Sequence, residues 1–258
     1  MEYDRKVGSC LFETTMSDES NDEAYRIFAG IREYCDTYNI PRENLLDILE
    51  DQKVLPMIRG KATEYIGAAV LKQVLDPRDW SVDKLNLNPQ PGSYDEDVSL
   101  TYKRTGDRLK AETKNAVRGS FSLGKPRGRF KVPHFRVKCH KSRSHLTKAT
   151  NDRYEVGDFD VLLCNVSNAV FRGRAMERGL PFIEDSEGIE WLRNHYGVQD
   201  DDALRRATYD DWRVCLPVTI ALDDGTLPRS PTVLMEDDPN WFGLDLLAAN
   251  LRTLIIGS

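Results

Sequence analysis

The sequence predicts an α+β or mixed α/β chain, and three observations carry that expectation. Helical periodicity dominates up to about residue 75. Short alternating or apolar runs bounded by turn residues dominate from 96 to 165. Both patterns share the last third. No internal repeat or low-complexity stretch interrupts this order.

The first 20 residues are polar without a clear period and are expected to form a short arm or to be partly disordered. Residues 22–37 set Ala24, Ile27, Phe28 and Ile31 at helical spacing behind an acidic opening. Pro41 suits the first turn of a second helix, with Leu45, Ile48 and Leu49 on one face. A third helix is predicted over about 60–75, burying Tyr65, Ala68, Ala69, Leu71 and Val74 and ending before Asp76-Pro77, because a residue preceding proline avoids the helical region. Residues 76–94 read as a loop with a short strand near Trp80–Leu85. Residues 96–103 alternate as a strand. Gly106 serves a turn, and Leu109–Ala116 returns as the second strand of a hairpin. Phe130–Cys139, interrupted by Pro133, is a third predicted strand and Phe159–Asn165 a buried one, with a polar loop over 140–157. Gly188–Tyr196 and Asp201–Ala207 look helical, Val214–Ala221 looks like a strand, and Trp241–Leu254 reads as a closing helix.

The composition bounds the function. A chain of 258 residues, 40% hydrophobic and 30% charged, can bury a core, which excludes wholesale disorder and a fibrous repeat. No apolar run approaches the roughly 20 residues of a spanning helix. The opening MEYDRKVGSC lacks an apolar signal core, so a cytoplasmic location is expected. Five scattered cysteines (10, 35, 139, 164, 215) suit reduced thiols.

The net charge of −6 hides a division. Residues 101–150 hold 15 Lys and Arg against 2 acids, whereas the rest of the chain holds 21 against 40. An acidic protein with one strongly basic segment points to a polyanion site, set against the plainer reading of a solvated face.

Chemistry concentrates in that basic hairpin. Glu112 and Lys114 stand two apart on one strand and therefore share a face. Asp97 begins the other strand, and the fold of the hairpin carries it back toward them. Two carboxylates and an ammonium on one face suit Mg²⁺, which takes oxygen ligands and is held by few carboxylates. Such a metal lowers the pKa of a bound water and stabilises charge on a phosphate. The alternative for Glu112 and Lys114 is a solvated ion pair of little energy.

Asp97 in its strand, with Glu112-Thr113-Lys114 in the next, resembles the motif of the PD-(D/E)xK nuclease superfamily, the fold of most restriction endonucleases. The stretches Phe135–Arg143 and Tyr154–Leu162 extend the resemblance over about residues 58–165. It implies a restriction-endonuclease-like core, a mixed central sheet flanked by helices, and helices 22–50 are read as an added N-terminal layer. By it, Asp97 and Glu112 bind metal, Lys114 assists the attacking water, and Glu64, on the helix before the motif strands, completes the metal site. Mg²⁺ is the implied cofactor, with Mn²⁺ able to substitute. No proline directly precedes Asp97, which leaves Asp95 as a rival first ligand. Glu64 also has a plain reading, an ion pair with Arg59 or Lys61.

Arg118, Arg127, Arg129, Lys131, Lys138, His140, Lys141, Arg143 and Ser144 are the candidate DNA contacts, phosphate contact being expected more than base reading. The implied organisation is one domain over 21–258, with a helical part 21–57, a catalytic core at about 58–170, and a part 171–258, including Trp212 and Trp241, that completes the core or a dimer interface. The implied activity is that of a type II restriction enzyme on double-stranded DNA, acting as a homodimer, with a DNA methyltransferase as genetic partner. Two further classes stay open: a nuclease subunit of a larger defence or repair assembly, and a non-catalytic DNA-binding module. Cys139, His140, His145 and Cys164 lack zinc-site spacing, no phosphate-loop or nucleotide-binding motif occurs, and Asp158 and Asp160 read better as strand-edge residues than as a second acidic pair.

Overall fold

A computed structural model describes residues 18–84, 97–124, 132–141, 152–172 and 180–256. Contact density divides the chain into two compact units, one up to Leu55 and one from Pro56 onward.

The first unit holds helix α1 (Asp18–Thr37), a 3₁₀ turn (Arg42–Asn44) and helix α2 (Leu45–Glu50). Arg42 grips both oxygens of Asp36 at 2.5 Å and ties the turn to the end of α1. The stripe expected to be packed is exposed: Ile27, Phe28 and Ile31 on α1, and Ile48 and Leu49 on α2, all face solvent. Among the described side chains of α1, Cys35 is the buried one, at the end of the same helical stripe.

The second unit is built on a six-stranded sheet. Its strands are β1 (Trp80–Lys84), β2 (Val98–Tyr102), β3 (Arg108–Asn115), β5 (Val161–Asn165), β6 (Trp212–Cys215) and β8 (Trp241–Gly243), in that spatial order. Every neighbouring pair is antiparallel except β3 with β5, so the sheet is mixed. A separate antiparallel pair joins β4 (His134–Arg136) to β7 (Thr232–Leu234). Within the described part of the predicted strand Phe130–Cys139, only His134–Arg136 forms a strand, and it lies outside the central sheet. Pro133 lacks the amide that a ladder needs.

Helices cover both faces. On one face α3 (Leu55–Val74) and α6 (Leu247–Ile256) bury Ala68, Leu71, Leu247 and Leu251 against Val98, Leu100, Ala111, Val161 and Leu163. On the other, α4 (Ser186–Tyr196) and α5 (Asp201–Asp210) bury Ile189, Leu192 and Leu204 with Leu162, Cys164 and Cys215. Side-chain capping starts both of these helices: Asp185 accepts from the Gly188 amide at 3.0 Å and Asp200 from the Ala203 amide at 2.8 Å. Gly197 ends α4 in the left-handed conformation that glycine adopts without strain.

Three boundaries and one phase depart from the sequence reading. Helix α3 starts at Leu55, with Pro56 in its first turn, where an absent N–H costs nothing. It buries Thr63, Gly67, Ala68 and Leu71, while Tyr65, Ala69 and Val74 are exposed. The packed stripe runs through Thr63 and Gly67, which an apolar count skips. A Cβ on Gly67 would meet the Thr113 methyl at 2.7 Å, so the missing side chain lets the helix lie close on β3. Strand β6 stops at Cys215, and Pro217 opens a 3₁₀ turn in place of the strand's continuation. Trp241 and Phe242 pair with β6 instead of opening the last helix, which starts at Leu247. Trp212 and Trp241 are both buried in the core. Among the described residues, no helix is long and apolar enough to cross a membrane.

Candidate active site

The site forms on the β2–β3 hairpin. Its turn needs Gly106 at a φ of +83°, and the Gly106 amide closes it on the Tyr102 carbonyl at 2.8 Å. The register pairs Val98 with Ala111, and one further step sets Asp97 against Glu112. Directly opposed residues of an antiparallel pair share a face. Asp97 is buried, and its Oδ2 accepts the Thr113 amide at 2.9 Å, one step beyond the last paired residues.

Glu112 and Lys114 point to the face that carries Leu162 and Cys164, their register partners on β5. The Lys114 ammonium forms a short ion pair with Glu112 Oε1, and the two side chains are only 20% and 11% exposed. This is not the solvated surface pair of the plain alternative. Tyr154 completes the arrangement from outside the hairpin. Its hydroxyl donates to Glu112 Oε1 at 3.2 Å, and Lys114 Nζ lies 5.0 Å from its ring centre. Lys141 Nζ approaches the same ring at 5.5 Å and pairs with Asp158 at 2.9 Å.

Burial and surrounding charge set the protonation states. Burial first, then the Glu112 and Glu64 charges, push the Asp97 carboxyl up to about 7, against the opposing pull of Lys114 and the Thr113 amide. Burial disfavours the Lys114 ammonium, but Glu112 and Tyr154 outweigh it and hold its pKa above the ordinary lysine value. Lys114 therefore serves as a fixed cation rather than as a base. Burial and the Glu112 charge raise the Tyr154 phenol, which keeps its proton and its donor role. Burial lifts the Cys139 thiol to about 12, so it is no nucleophile.

Glu64 stands apart. It rises from α3, on the opposite face of the sheet, and its Oε2 pairs with Lys61 at 2.8 Å and with Lys84, the last residue of β1, at 3.0 Å. Its plain reading as an ion-pair partner of Lys61 is the contact observed. It reaches the site through its charge on Asp97. Among the described residues, no group of three or more His, Cys, Asp and Glu is arranged to hold a metal ion. The donors that do converge are the carboxylates of Asp97 and Glu112, hard oxygens suited to Mg²⁺. The elevated Asp97 pKa reflects burial first and the neighbouring negative charges second, and a bound cation would relieve the second. Two carboxylates with substrate phosphate oxygens match the way Mg²⁺ is usually held.

Of the expected DNA contacts, Arg127, Arg129, Lys131, Arg143 and Ser144 lie outside the described residues, as do the rival ligand Asp95, His145 and the N-terminal arm up to residue 17. Lys138 is exposed, and His140 is partly buried with its pKa lowered by burial and by Lys138. Part of the basic segment's charge is answered within the fold: Arg104 pairs with Asp79 at 2.9 Å, Lys114 with Glu112, and Lys141 with Asp158. Asp160 accepts the Lys110 amide at 2.7 Å and Asp158 the Glu155 amide at 2.9 Å, so both serve the strand's edge. Arg118 follows β3 and is taken up below. The sequence reading assigned no role to Tyr154 or to the Thr113 amide, because no spacing rule links residue 154 to residue 112, and it offered Arg59 as a partner of Glu64, whereas Arg59 bonds Asn168.

The fold and site define an α/β protein with a buried carboxylate pair and a fixed lysine cation on one hairpin. Comparison with protein-family models, with curated proteins and with solved structures gives no match.

Proposed function

We propose that this protein is a Mg²⁺-dependent DNA endonuclease with a restriction-endonuclease-like core, cutting double-stranded DNA at a specific site as a type II restriction enzyme does, and acting as a homodimer. One observation carries the reading: Asp97 and Glu112 crowd together opposite one another at the start of the hairpin, with the Lys114 ammonium bound to the same carboxylate. A pair of acids and one lysine in a strongly basic segment is a donor set for hydrolysing a phosphodiester.

In this reading Asp97 and Glu112 hold the metal, which supplies a water of lowered pKa and positive charge at the phosphate when bound. Thr113, through its amide, fixes the Asp97 carboxylate. Tyr154 fixes Glu112 by hydrogen bonding to Oε1. Lys114 keeps its proton and stabilises the negative charge that grows on the phosphoryl oxygens in the transition state. Lys138 and the cations of the basic segment hold the DNA backbone through its phosphates.

The test is cleavage of unmethylated plasmid or phage DNA by the purified protein with Mg²⁺ or with EDTA, beside the Asp97→Ala and Lys114→Ala variants. Discrete fragments seen only with Mg²⁺ and wild-type protein are expected. A smear would retain the chemistry and remove site specificity. A second reading, a DNA-binding module without catalysis, is favoured by the engagement of the Lys114 ammonium with Glu112. Under that reading DNA binds equally well with Mg²⁺ and with EDTA and is not cut.

A further inference from the structure

Outside the hairpin site, the structure brings two guanidinium groups together with no counter-charge among the described residues. Arg59 lies in the first turns of α3 and Arg118 in the segment that leaves β3. A single residue, Asn168 in the 3₁₀ turn Ser167–Val170, links them. Arg59 Nη2 donates to Asn168 Oδ1 at 2.6 Å. Asn168 Nδ2 donates to the Ala116 carbonyl at 2.7 Å, and its own carbonyl accepts the Gly119 amide at 3.3 Å. Asn168 thus clamps both flanks of Arg118 while orienting Arg59. Gly119 turns at a φ of +64° with the Phe171 carbonyl 3.4 Å from its missing Cβ, so the bend that presents Arg118 requires glycine.

Neither guanidinium has an ion-pair partner among the described residues, and Arg118 Nε is buried without any hydrogen-bond partner. Arginine cannot shed its proton. Burial and the charge of Arg118 act together against the Arg59 cation, with no carboxylate among the influences on it. Two half-buried like charges, one held by a dedicated hydrogen bond and the other with its buried Nε left without one, are unfavourable unless an anion joins them, and guanidinium forks match phosphate oxygens in pairs.

We infer that Arg59 and Arg118, oriented by Asn168, form an anion subsite that takes a phosphate group. Resting on the nuclease reading above, the occupant is a non-scissile phosphate of the bound DNA. Arg118 stands four residues beyond Lys114, at most about 13 Å along an extended chain. Held there, the phosphate fixes the register of the backbone relative to the hairpin and carries no sequence information.

The experiment measures binding of a labelled DNA duplex with EDTA present, across salt concentrations, for wild type, Arg118→Gln, Arg59→Gln and Arg118→Lys. Each glutamine variant is expected to bind about tenfold more weakly on every sequence and to lower the salt slope by about 0.9. The lysine variant recovers the slope but only part of the affinity, because it lacks the fork. A second arm follows thermal unfolding with inorganic phosphate. Phosphate raises the midpoint of wild type more than that of Arg118→Gln. Without phosphate at low salt, Arg118→Gln melts no lower than wild type, since like-charge repulsion has been removed. A wild type that binds DNA with unchanged slope in both glutamine variants would overturn the subsite. A wild type that ignores DNA but gains phosphate stability through Arg118 would keep the subsite and overturn the nuclease reading. Loss of both responses overturns both.

Discussion

The Thr113 amide donates to Asp97 Oδ2 at 2.9 Å, so a carboxylate takes up a β3 backbone group one step before β2 begins. This bond holds one oxygen of Asp97 against the strand that carries Glu112. It also explains why so crowded a carboxyl stays in place: the hydrogen bond donated by the amide offsets part of the repulsion from Glu112. The same residue, Thr113, turns its side chain to the opposite face, where Gly67 of α3 packs on it. One dipeptide step therefore couples the helix seat to the geometry of the site.

Stability should fall as pH rises from about 4 to about 7 and then level off. The native Asp97 carboxyl, raised to about 7 from 3.8, holds its proton while the unfolded chain has already lost it, so the unfolded state binds fewer protons in this window. The shift corresponds to a loss on the order of 4 kcal/mol. Asp97→Asn keeps an acceptor for the Thr113 amide and removes the slope. Urea midpoints at pH 5 and pH 8 measure this, and equal slopes for the two proteins would sink it.

Mg²⁺ binding should release a proton below pH 7. A cation on Asp97 displaces the proton that crowding retains, so apparent affinity rises about tenfold per pH unit up to pH 7 and flattens above it. Calorimetric titration in two buffers of different ionisation enthalpy counts the proton. Asp97→Asn should release none.

Lys114→Met should cost about 3–5 kcal/mol, because it strands the buried Glu112 carboxylate. Adding Glu112→Gln should recover much of that loss, and chemical denaturation of the four-protein cycle reads the coupling. Additive losses would mean that the pair contributes no interaction of its own.

Tyr154→Phe removes one hydrogen bond to Glu112 and leaves the ring on Phe159, with which it packs edge-on at 5.1 Å. The expected loss of stability is about 1 kcal/mol. Cleavage should drop with the DNA affinity unchanged, which a binding assay beside the cleavage assay separates.

Gly67→Ala sets two effects against each other. Alanine favours the helix by about 1 kcal/mol. Its methyl meets the stiff Thr113 side chain at 2.7 Å, however, and α3 must move off the sheet, at a cost of about 1–3 kcal/mol. Net destabilisation is expected, with partial rescue by Thr113→Ser, which removes the methyl. Thermal midpoints of the single and double variants decide it.

Much of this chain was legible without coordinates. Strand alternation places Glu112 and Lys114 on one face whatever surrounds them, and the turn at Gly106 folds Asp97 toward them. Strand β5, apolar from Val161 to Cys164, reads as buried on both faces and is so. The phase of α3 was not legible, because its packed stripe uses Thr63 and Gly67. The short strands β7 and β8 escaped because three residues carry no period, and pairing alone makes them strands.

By itself the sequence determined what local periodicity can encode: the helices, the central hairpin, the shared face of Glu112 and Lys114, and the basic segment. Only the tertiary structure decided that Tyr154 reaches Glu112, that Glu64 belongs to the other face with Lys61 and Lys84, and that Asn168 joins Arg59 to Arg118. The Tyr154–Glu112 and Asn168–Arg59 contacts span 42 and 109 residues of chain. They arise from covering both faces of one sheet, which brings remote segments together. Burial then acts on all of them at once, so the protonation of Asp97 is a property of the packed site and of no stretch of sequence within it.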